Sequence, residues 1–205
     1  MGRTKFIAIL ATVMLTAMSW SLPAGAASGE DAGAFVRDLG QQAVALLASK
    51  TLTNAQREAG LRQIFLSKFD VDGIGRFALG RYWRIATQAE REQYLKLFKE
   101  YVVKVYTKAL SQSENTKFVV KSTRPAGIAD DILVVSEIGD PDQDPIEVNW
   151  RVHTKDGANR VVDVIVDGIS MVITKRHDFN AVLAQNDGKI DALLGRLQEE
   201  IDKVE

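Results

Sequence analysis

The stretch from Lys117 to Val166 constrains the fold most strongly, because it contains four short runs rich in β-branched residues. Turn-forming residues separate the runs, and Asp156-Gly157 between the last two is typical of a tight β-hairpin. In the third run, apolar side chains at positions 146, 148, 150 and 152 alternate with polar ones, which indicates an antiparallel sheet with one buried face. The predicted strands are Lys117–Ser122, Asp131–Ile138, Ile146–Thr154 and Arg160–Val166.

Helical periodicity replaces this alternation on both sides of the strands. Before the strands, we predict one helix through Phe35 and Leu46, one capped by Asn54, and a short one from Asp72 to Gly80. A long helix follows, from a Thr87–Glu90 capping box to about Leu110. After the strands, two more helices are predicted at Val172–Gln185 and Lys189–Val204. Helices, then a sheet, then helices predict an α+β fold with an antiparallel sheet of four or five strands.

The long predicted helix carries a wide aliphatic and aromatic stripe, and the inner positions of the sheet are mostly Val, Ile and Trp. Because alternate residues of a strand share a face, Val162, Val164 and Val166 are expected on the same face as Val148 and Trp150. We expect the stripe to face the sheet, so that the two surfaces enclose either a filled core or an apolar cavity that holds a ligand. The pattern by itself leaves both open.

Residues 1–26 have the three parts of a secretory signal peptide: the basic residues Arg3 and Lys5, an apolar run from Phe6 to about Trp20, and an Ala-Gly-Ala end. The run is shorter than the roughly 20 residues that a membrane-spanning helix needs. We therefore expect cleavage after Ala26, a single domain over residues 27–205, and a periplasmic location.

Composition and charge exclude several classes of function. The chain has no cysteine and two histidines, which excludes disulfides, thiol chemistry and cysteine-ligated zinc. The formal net charge of −1 falls to −3 when Arg3 and Lys5 are removed with the signal segment, so a nucleic-acid partner is not expected.

Three weak motifs are better explained as ordinary structure. Gly73–Ala78 fits a loose dinucleotide pattern but follows no buried strand. Asp140, Asp142 and Asp144 are spaced like a calcium loop that has a proline where glycine is required. Gly168–Val172 begins like a nucleophile elbow without its closing glycine, and His153 is expected to be solvated on the polar face of its strand. No catalytic or metal site is predicted.

Two stretches resemble the signatures of the MlaC (toluene-tolerance) family. The first joins Phe69–Asp72 to Phe77–Arg84 and continues through Thr87, Glu90 and the segment from Phe98 to Tyr106. The second is Val161–Val172, followed by Arg176 and Phe179. The resemblance covers roughly Phe35 to Leu197, nearly all of the predicted mature chain.

The resemblance implies an NTF2-like sheet packed with helices around an apolar cavity, in a periplasmic phospholipid-binding protein. Such a protein ferries lipid between an outer-membrane lipoprotein complex and an inner-membrane ABC transporter with a substrate-capturing domain protein, and so maintains membrane lipid asymmetry. Phospholipid is then cargo, and no cofactor is implied. The alternatives are a hopanoid-associated lipid-binding protein, an NTF2-like enzyme and a scaffolding protein.

Two sets of residues follow as predictions for the site. The predicted cavity wall comprises Phe77, Leu79, Tyr82, Trp83, Phe98, Tyr101, Val102, Val105, Val148, Trp150, Val152, Val162, Val164, Val166, Ile169 and Met171. The residues predicted to contact the lipid head group or dock a partner are Arg81, Arg84, Lys175 and Arg176.

Overall fold

The computed structural model describes residues 28–111, 117–139 and 144–204, so the predicted signal peptide and Asp140 and Asp142 of the acidic turn lie outside it. The helices are α1 (Gly29–Ala48), α2 (Asn54–Lys68), α3 (Val71–Leu79), α4 (Tyr82–Ile85), α5 (Gln88–Ser111), α6 (Met171–Gln185) and α7 (Ile190–Asp202). The strands are β1 (Lys117–Pro125), β2 (Ile132–Gly139), β3 (Ile146–Lys155), β4 (Ala158–Val166) and β5 (Ile169–Ser170). The α+β prediction is confirmed.

The five strands form one antiparallel sheet in the order β1-β2-β3-β4-β5, in which each strand pairs with its sequence neighbours. The predicted hairpin at Asp156-Gly157 joins β3 to β4, and both residues have positive φ, 52° and 74°. A second hairpin, Asp167-Gly168, joins β4 to β5 with φ of 48° and 81°. Two positive φ angles in a two-residue loop match the twist of the strands on either side.

Two hydrophobic clusters form the core of the described residues. The sheet cluster lies between α1, α2 and one face of the sheet and contains Ala32, Val36, Leu39, Ile64, Val134, Val148, Trp150, Val152 and Val161. The helical cluster draws its buried residues from α3, α4, α5, α6 and α7 and from Ala86, which precedes α5.

The apolar stripe of α5 belongs to the helical cluster, so the expectation that it faces the sheet is wrong. Phe179 of α6 makes edge-on ring contacts with Tyr94, Phe98 and Tyr101 at centroid distances of 6.3, 6.1 and 6.4 Å. The Tyr94 hydroxyl donates to the carbonyl of Gly75 at 2.9 Å, and burial raises the pKa of this phenol. Periodicity shows which face of a helix is buried but does not identify the surface that covers it.

Phe69 lies between α2 and α3 and packs against both clusters. Its ring stacks on Phe65 at 4.4 Å and meets Trp150 edge-on at 6.4 Å. The amide of Asp70 donates to the carbonyl of Val161 at 3.0 Å, which fixes the start of α3 beside β4. This short segment is therefore one of the links between the sheet and the helical cluster.

Two predicted helix caps are displaced by one or two residues. Thr53, rather than Asn54, caps α2 through a capping box with Gln56. Asp70, rather than Asp72, caps α3 by accepting from the Gly73 amide at 3.0 Å. Asp72 instead pairs with Lys99 at 2.8 Å.

Candidate functional site

One face of the sheet is almost entirely apolar, and the strand register shows which residues share it. Trp150 of β3 pairs with Val134 of β2 and with Val164 of β4. Two residues away in β3, Val148 pairs with Ser136 and Val166. Directly opposed residues of an antiparallel pair lie on the same side of a sheet, so these side chains form continuous rows across it.

Ser136, the polar side chain among these residues of β2, β3 and β4, is internally satisfied. The Ser136 hydroxyl is fully buried, donates to the carbonyl of Val148 at 2.7 Å and accepts from the indole N–H of Trp150 at 2.9 Å. Burial of a polar group costs free energy only when the group is unpaired. The paired Ser136 hydroxyl therefore adds no such cost when an apolar ligand covers the face.

The helices α1 and α2 do not cover the whole of this face. Val164 and Val166 are half-buried, although their β3 partners are buried. Beyond them, Ile146 and Ile169 continue the face and are 49% and 59% exposed. We call Ile146 and Ile169 the open end of the sheet, because they are exposed residues that continue its apolar face.

The structure brings most of the predicted sheet residues together. Val148, Trp150, Val152, Val164, Val166 and Ile169 share the apolar face. Val162 does not share it, which corrects the expected alternation. Arg151 pairs with Asp163 and Val152 pairs with Val161, so Val162 is the extra residue of a β-bulge. The extra residue of a bulge shifts the alternation of side chains between the two faces. Before this bulge, Val161 rather than Val162 therefore lies on the apolar face.

The predicted helical residues lie elsewhere. Leu79, Tyr82, Phe98, Tyr101 and Val102 are buried in the helical cluster, and Trp83 and Val105 pack against it. Phe77 is 41% exposed, and Met171 is half-buried at the start of α6. The structure thus separates these residues from the sheet face, and their contact with lipid stays a prediction.

Three of the four predicted basic residues come together. Arg81, Arg84 and Arg176 line a surface groove of about 360 Å³ with Arg76, Phe77, Gly80 and Trp83, which we call the arginine groove. Lys175 is not part of it, since its ammonium lies 5.6 Å from the centre of the Tyr101 ring and 3.3 Å from the Asp178 carboxylate.

Sequence reasoning missed several residues of both surfaces. Phe69, Phe118 and Val134 complete the sheet cluster, and Arg76 completes the arginine groove. A signal for Arg76 existed, because it lies in the last turn of a short helix that Gly80 ends just before Arg81. Phe69 lies between two helices, where no periodicity marks its direction.

The weak motifs have structural explanations. Gly73–Ala78 lies inside α3. The Ser170 hydroxyl donates to the buried Asp163 carboxylate at 2.6 Å and accepts from the Ile173 amide at 3.1 Å, and so caps α6. Its hydrogen-bonding capacity is used by the fold.

His153 is paired rather than freely solvated, which corrects the sequence expectation. Its Nδ1 lies 2.7 Å from one oxygen of the buried Asp131 carboxylate. The Nε of Arg151 lies 3.6 Å from the other oxygen.

Within residues 28–111, 117–139 and 144–204, no three His, Cys, Asp or Glu side chains are placed to hold a metal ion. No helix in those residues is both long and apolar enough to cross a membrane.

A family model described as MlaC protein matches residues 37–199. The chain belongs to the MlaC family. It is 27% identical over 142 residues to the intermembrane phospholipid transport system binding protein MlaC of Haemophilus influenzae. That alignment covers 68% of this chain and 65% of the relative, so the chain matches somewhat less than two thirds of that protein.

The fold of this MlaC family member is also found in a solved structure. The chain matches a phospholipid-binding protein from Ralstonia solanacearum, solved in complex with a phospholipid, with a TM-score of 0.73 and 21% identity. The match covers 84% of this chain and 98% of the other. At this identity the likeness establishes a shared fold.

Proposed function

We propose that this chain is a periplasmic phospholipid carrier, which moves lipid between an outer-membrane lipoprotein complex and an inner-membrane ABC transporter with its substrate-capturing domain protein. The observation that carries the proposal is an apolar sheet face that continues past its covering helices to the exposed Ile146 and Ile169. Each methylene group left in water costs about 0.8 kcal/mol, so a two-chain lipid needs such a surface to cross an aqueous space.

The comparisons support this choice of cargo. The Haemophilus influenzae relative is named for intermembrane phospholipid transport, and the Ralstonia solanacearum protein holds a phospholipid. Transport between membranes requires binding and release but no bond cleavage. We therefore propose no catalytic role and no cofactor for this chain, with phospholipid as cargo.

The cargo is tested by mass spectrometry of the organic extract from residues 27–205 purified without detergent. We expect phospholipid at close to one molecule per chain. A hopanoid in its place would redirect the proposal to the hopanoid-associated alternative, and an extract free of lipid would contradict the carrier function.

The open end is tested by Ile169→Asp, since a carboxylate there would have to be desolvated by a bound acyl chain. We expect the amount of co-purified phospholipid to fall several-fold. Ile128→Asp is the matched control, because Ile128 is 57% exposed and lies between β1 and β2, away from the open end. An equal loss in both variants would contradict the role of the open end.

The location is tested by N-terminal sequencing of the protein from a periplasmic fraction. We expect the first residue to be Ala27 or Ser28, as the signal-peptide pattern of residues 1–26 predicts. Recovery of the chain in a membrane fraction with Met1 intact would contradict a freely diffusing carrier.

A further inference from the structure

The arginine groove holds more positive charge than the protein itself neutralises. Four arginines, Arg76, Arg81, Arg84 and Arg176, line it together with Gly80. Among the residues that the structure describes, none of the four has a carboxylate within 4.0 Å. The carboxylates nearest in sequence are engaged elsewhere, Asp72 with Lys99 and Asp178 with Lys175.

Three of these four guanidinium groups lie over the faces of aromatic rings. Arg76 lies over Trp83 at 5.5 Å, Arg176 over Phe77 at 4.8 Å, and Arg81 over Tyr82 at 4.9 Å. A stacked guanidinium keeps its in-plane N–H groups available, and this planar fork matches the oxygens of a phosphate. Arg81 also donates one N–H to the Tyr82 hydroxyl at 2.9 Å, so these contacts order the arginines while one of the donors is already used within the protein.

Two further features shape the groove. Arg91 donates to the carbonyls of Trp83 and Arg84 at 2.8 and 3.2 Å and so fixes α4 against α5. Gly80 has φ 61° and ψ −130°, and a Cβ at this position would lie 3.1 Å from Nε of Arg176. The absence of a side chain at residue 80 leaves the space that the Arg176 guanidinium occupies.

The helix α6 connects the arginine groove to the open end of the sheet. Ile169 lies two residues before the first residue of this helix, with the N-cap Ser170 between them. Ile173 in the first turn is 48% exposed, and Arg176 follows three residues later on the same side. At 1.5 Å per residue, Arg176 lies about 7.5 Å along the helix from Met171. Less than two turns of α6 therefore separate Arg176 of this cationic groove from the open end.

We propose that the arginine groove binds the phosphate of the phospholipid whose acyl chains enter at the open end. This assignment rests on the proposed carrier function and specifies how the head group is held. Arg76, Arg81, Arg84 and Arg176 contact the phosphate oxygens, while the rest of the head group stays in water. Because the phosphate is common to phospholipids, the carrier discriminates lipids with a phosphate from neutral lipids and tolerates different head groups.

The test measures affinity by calorimetry on delipidated residues 27–205, with dihexanoyl phosphatidylglycerol, dihexanoyl glycerol and inorganic phosphate as separate probes. The variant carries Arg81→Gln, Arg84→Gln and Arg176→Gln. The matched control carries Arg37→Gln, Arg62→Gln and Arg124→Gln, which remove the same charge from exposed positions outside the groove. Circular dichroism and the urea midpoint establish that each variant is folded.

We expect the groove variant to bind the phosphatidylglycerol at least tenfold more weakly than the control, since charge-assisted hydrogen bonds to phosphate are lost. The affinity for dihexanoyl glycerol should be equal in both variants. The difference between them should shrink at 1 M salt, where the screening length is about 3 Å.

Three results would overturn the proposal. Equal affinity of both variants for phosphatidylglycerol, with a loss of inorganic phosphate binding in the groove variant, would make the groove a site for free phosphate. Equal lipid affinity with weaker binding to a reconstituted membrane complex would make it a protein-docking surface. If the unmodified chain binds neither lipid probe, the carrier function itself fails, and this outcome is distinct from the other two.

Discussion

Val164 lies at the point where the apolar face of the sheet passes from covered to open. It is half-buried opposite the buried Trp150, and it belongs to the residues that pack against the sheet cluster. A larger side chain in a tightly packed core costs typically about 1–3 kcal/mol, because neighbours are forced off their rotamers. Beside a ligand, the added volume displaces the ligand instead.

We therefore expect Val164→Phe to lower co-purified phospholipid sharply. The free energy of unfolding of the delipidated variant should stay within about 1 kcal/mol of the delipidated parent protein. Delipidated forms are compared because bound lipid stabilises the native state by mass action. Val162→Phe is the control, since Val162 lies in the bulge and off the apolar face. A Val164→Phe protein that unfolds easily yet keeps its lipid would show that position 164 is ordinary core.

Val164 and Val162 also show how far the sequence predicts which residues of a strand share a face. Alternation correctly placed Val148, Trp150, Val164 and Val166 on one face. It failed at Val162, because a bulge between Val161 and Asp163 inserts one residue without changing the composition of the strand. Residues 161 and 162 are both valine, so no polar residue in the sequence marks the change of register.

At the scale of elements, the long helix α5 depends on a capping box at its start. The Glu90 carboxylate accepts from the Thr87 amide at 2.7 Å, and the Glu90 amide donates to the Thr87 hydroxyl at 3.3 Å. The Thr87 hydroxyl also donates to the Glu90 carboxylate at 2.7 Å. This bond, together with the one from the Thr87 amide, holds the pKa of Glu90 below its usual value. The charged form of Glu90 is therefore favoured in the folded state.

A lowered pKa in the folded state gives stability that is present above the unfolded pKa and is lost as the pH falls through the folded pKa. We expect Glu90→Gln to lower the urea midpoint at pH 7, with a difference from the parent protein that is lost as the pH falls through the pKa of Glu90 in the folded state. Glu58→Gln, which removes an exposed carboxylate from α2, controls for net charge. A difference that stays constant from pH 7 to pH 3 would contradict this account of the cap.

The capping box and the Asp156-Gly157 hairpin were predictable, because each depends on residues within a few positions of one another. The hairpin at Asp167-Gly168 has the same two residue types and was missed. Its second strand, β5, has two residues before α6 begins, so it offers no run of β-branched residues to detect. The partner of the α5 stripe was also beyond reach, since Phe179 is more than 70 positions away from it in sequence.

At the scale of the whole molecule, lipid has to reach the sheet cluster without unfolding the protein. The helix α1 packs along β1, which is the edge strand at the opposite end of the strand order from β4 and β5. Phe118 of β1 lies against Gly40, and Thr123 of the same strand lies against Gly29 and Gly33. The open end, in contrast, lies on β3 and β5. The structure therefore predicts that α1 stays on β1 while lipid enters and leaves.

A disulfide between α1 and β1 tests this prediction. A Cβ on Gly29 would lie 3.5 Å from Cβ of Thr123, within the range of about 3.5–4.5 Å found in disulfides. The chain has no other cysteine, so Gly29→Cys with Thr123→Cys can form one intramolecular bond. We expect oxidation to raise the free energy of unfolding by about 2–4 kcal/mol, because the bond restricts the unfolded chain.

Lipid transfer is the deciding measurement for the oxidised protein. We expect its rate between donor and acceptor vesicles to be the same before and after reduction, because the bond fastens α1 to β1 and leaves Ile146 and Ile169 accessible. The variant with Gly29→Ser and Thr123→Ser, treated with the same oxidant, controls for the loss of Gly29 and for the reagent. If the oxidised protein transfers lipid more slowly and reduction restores the rate, α1 must leave β1 during transfer. The passage would then lie beneath α1 rather than at the open end.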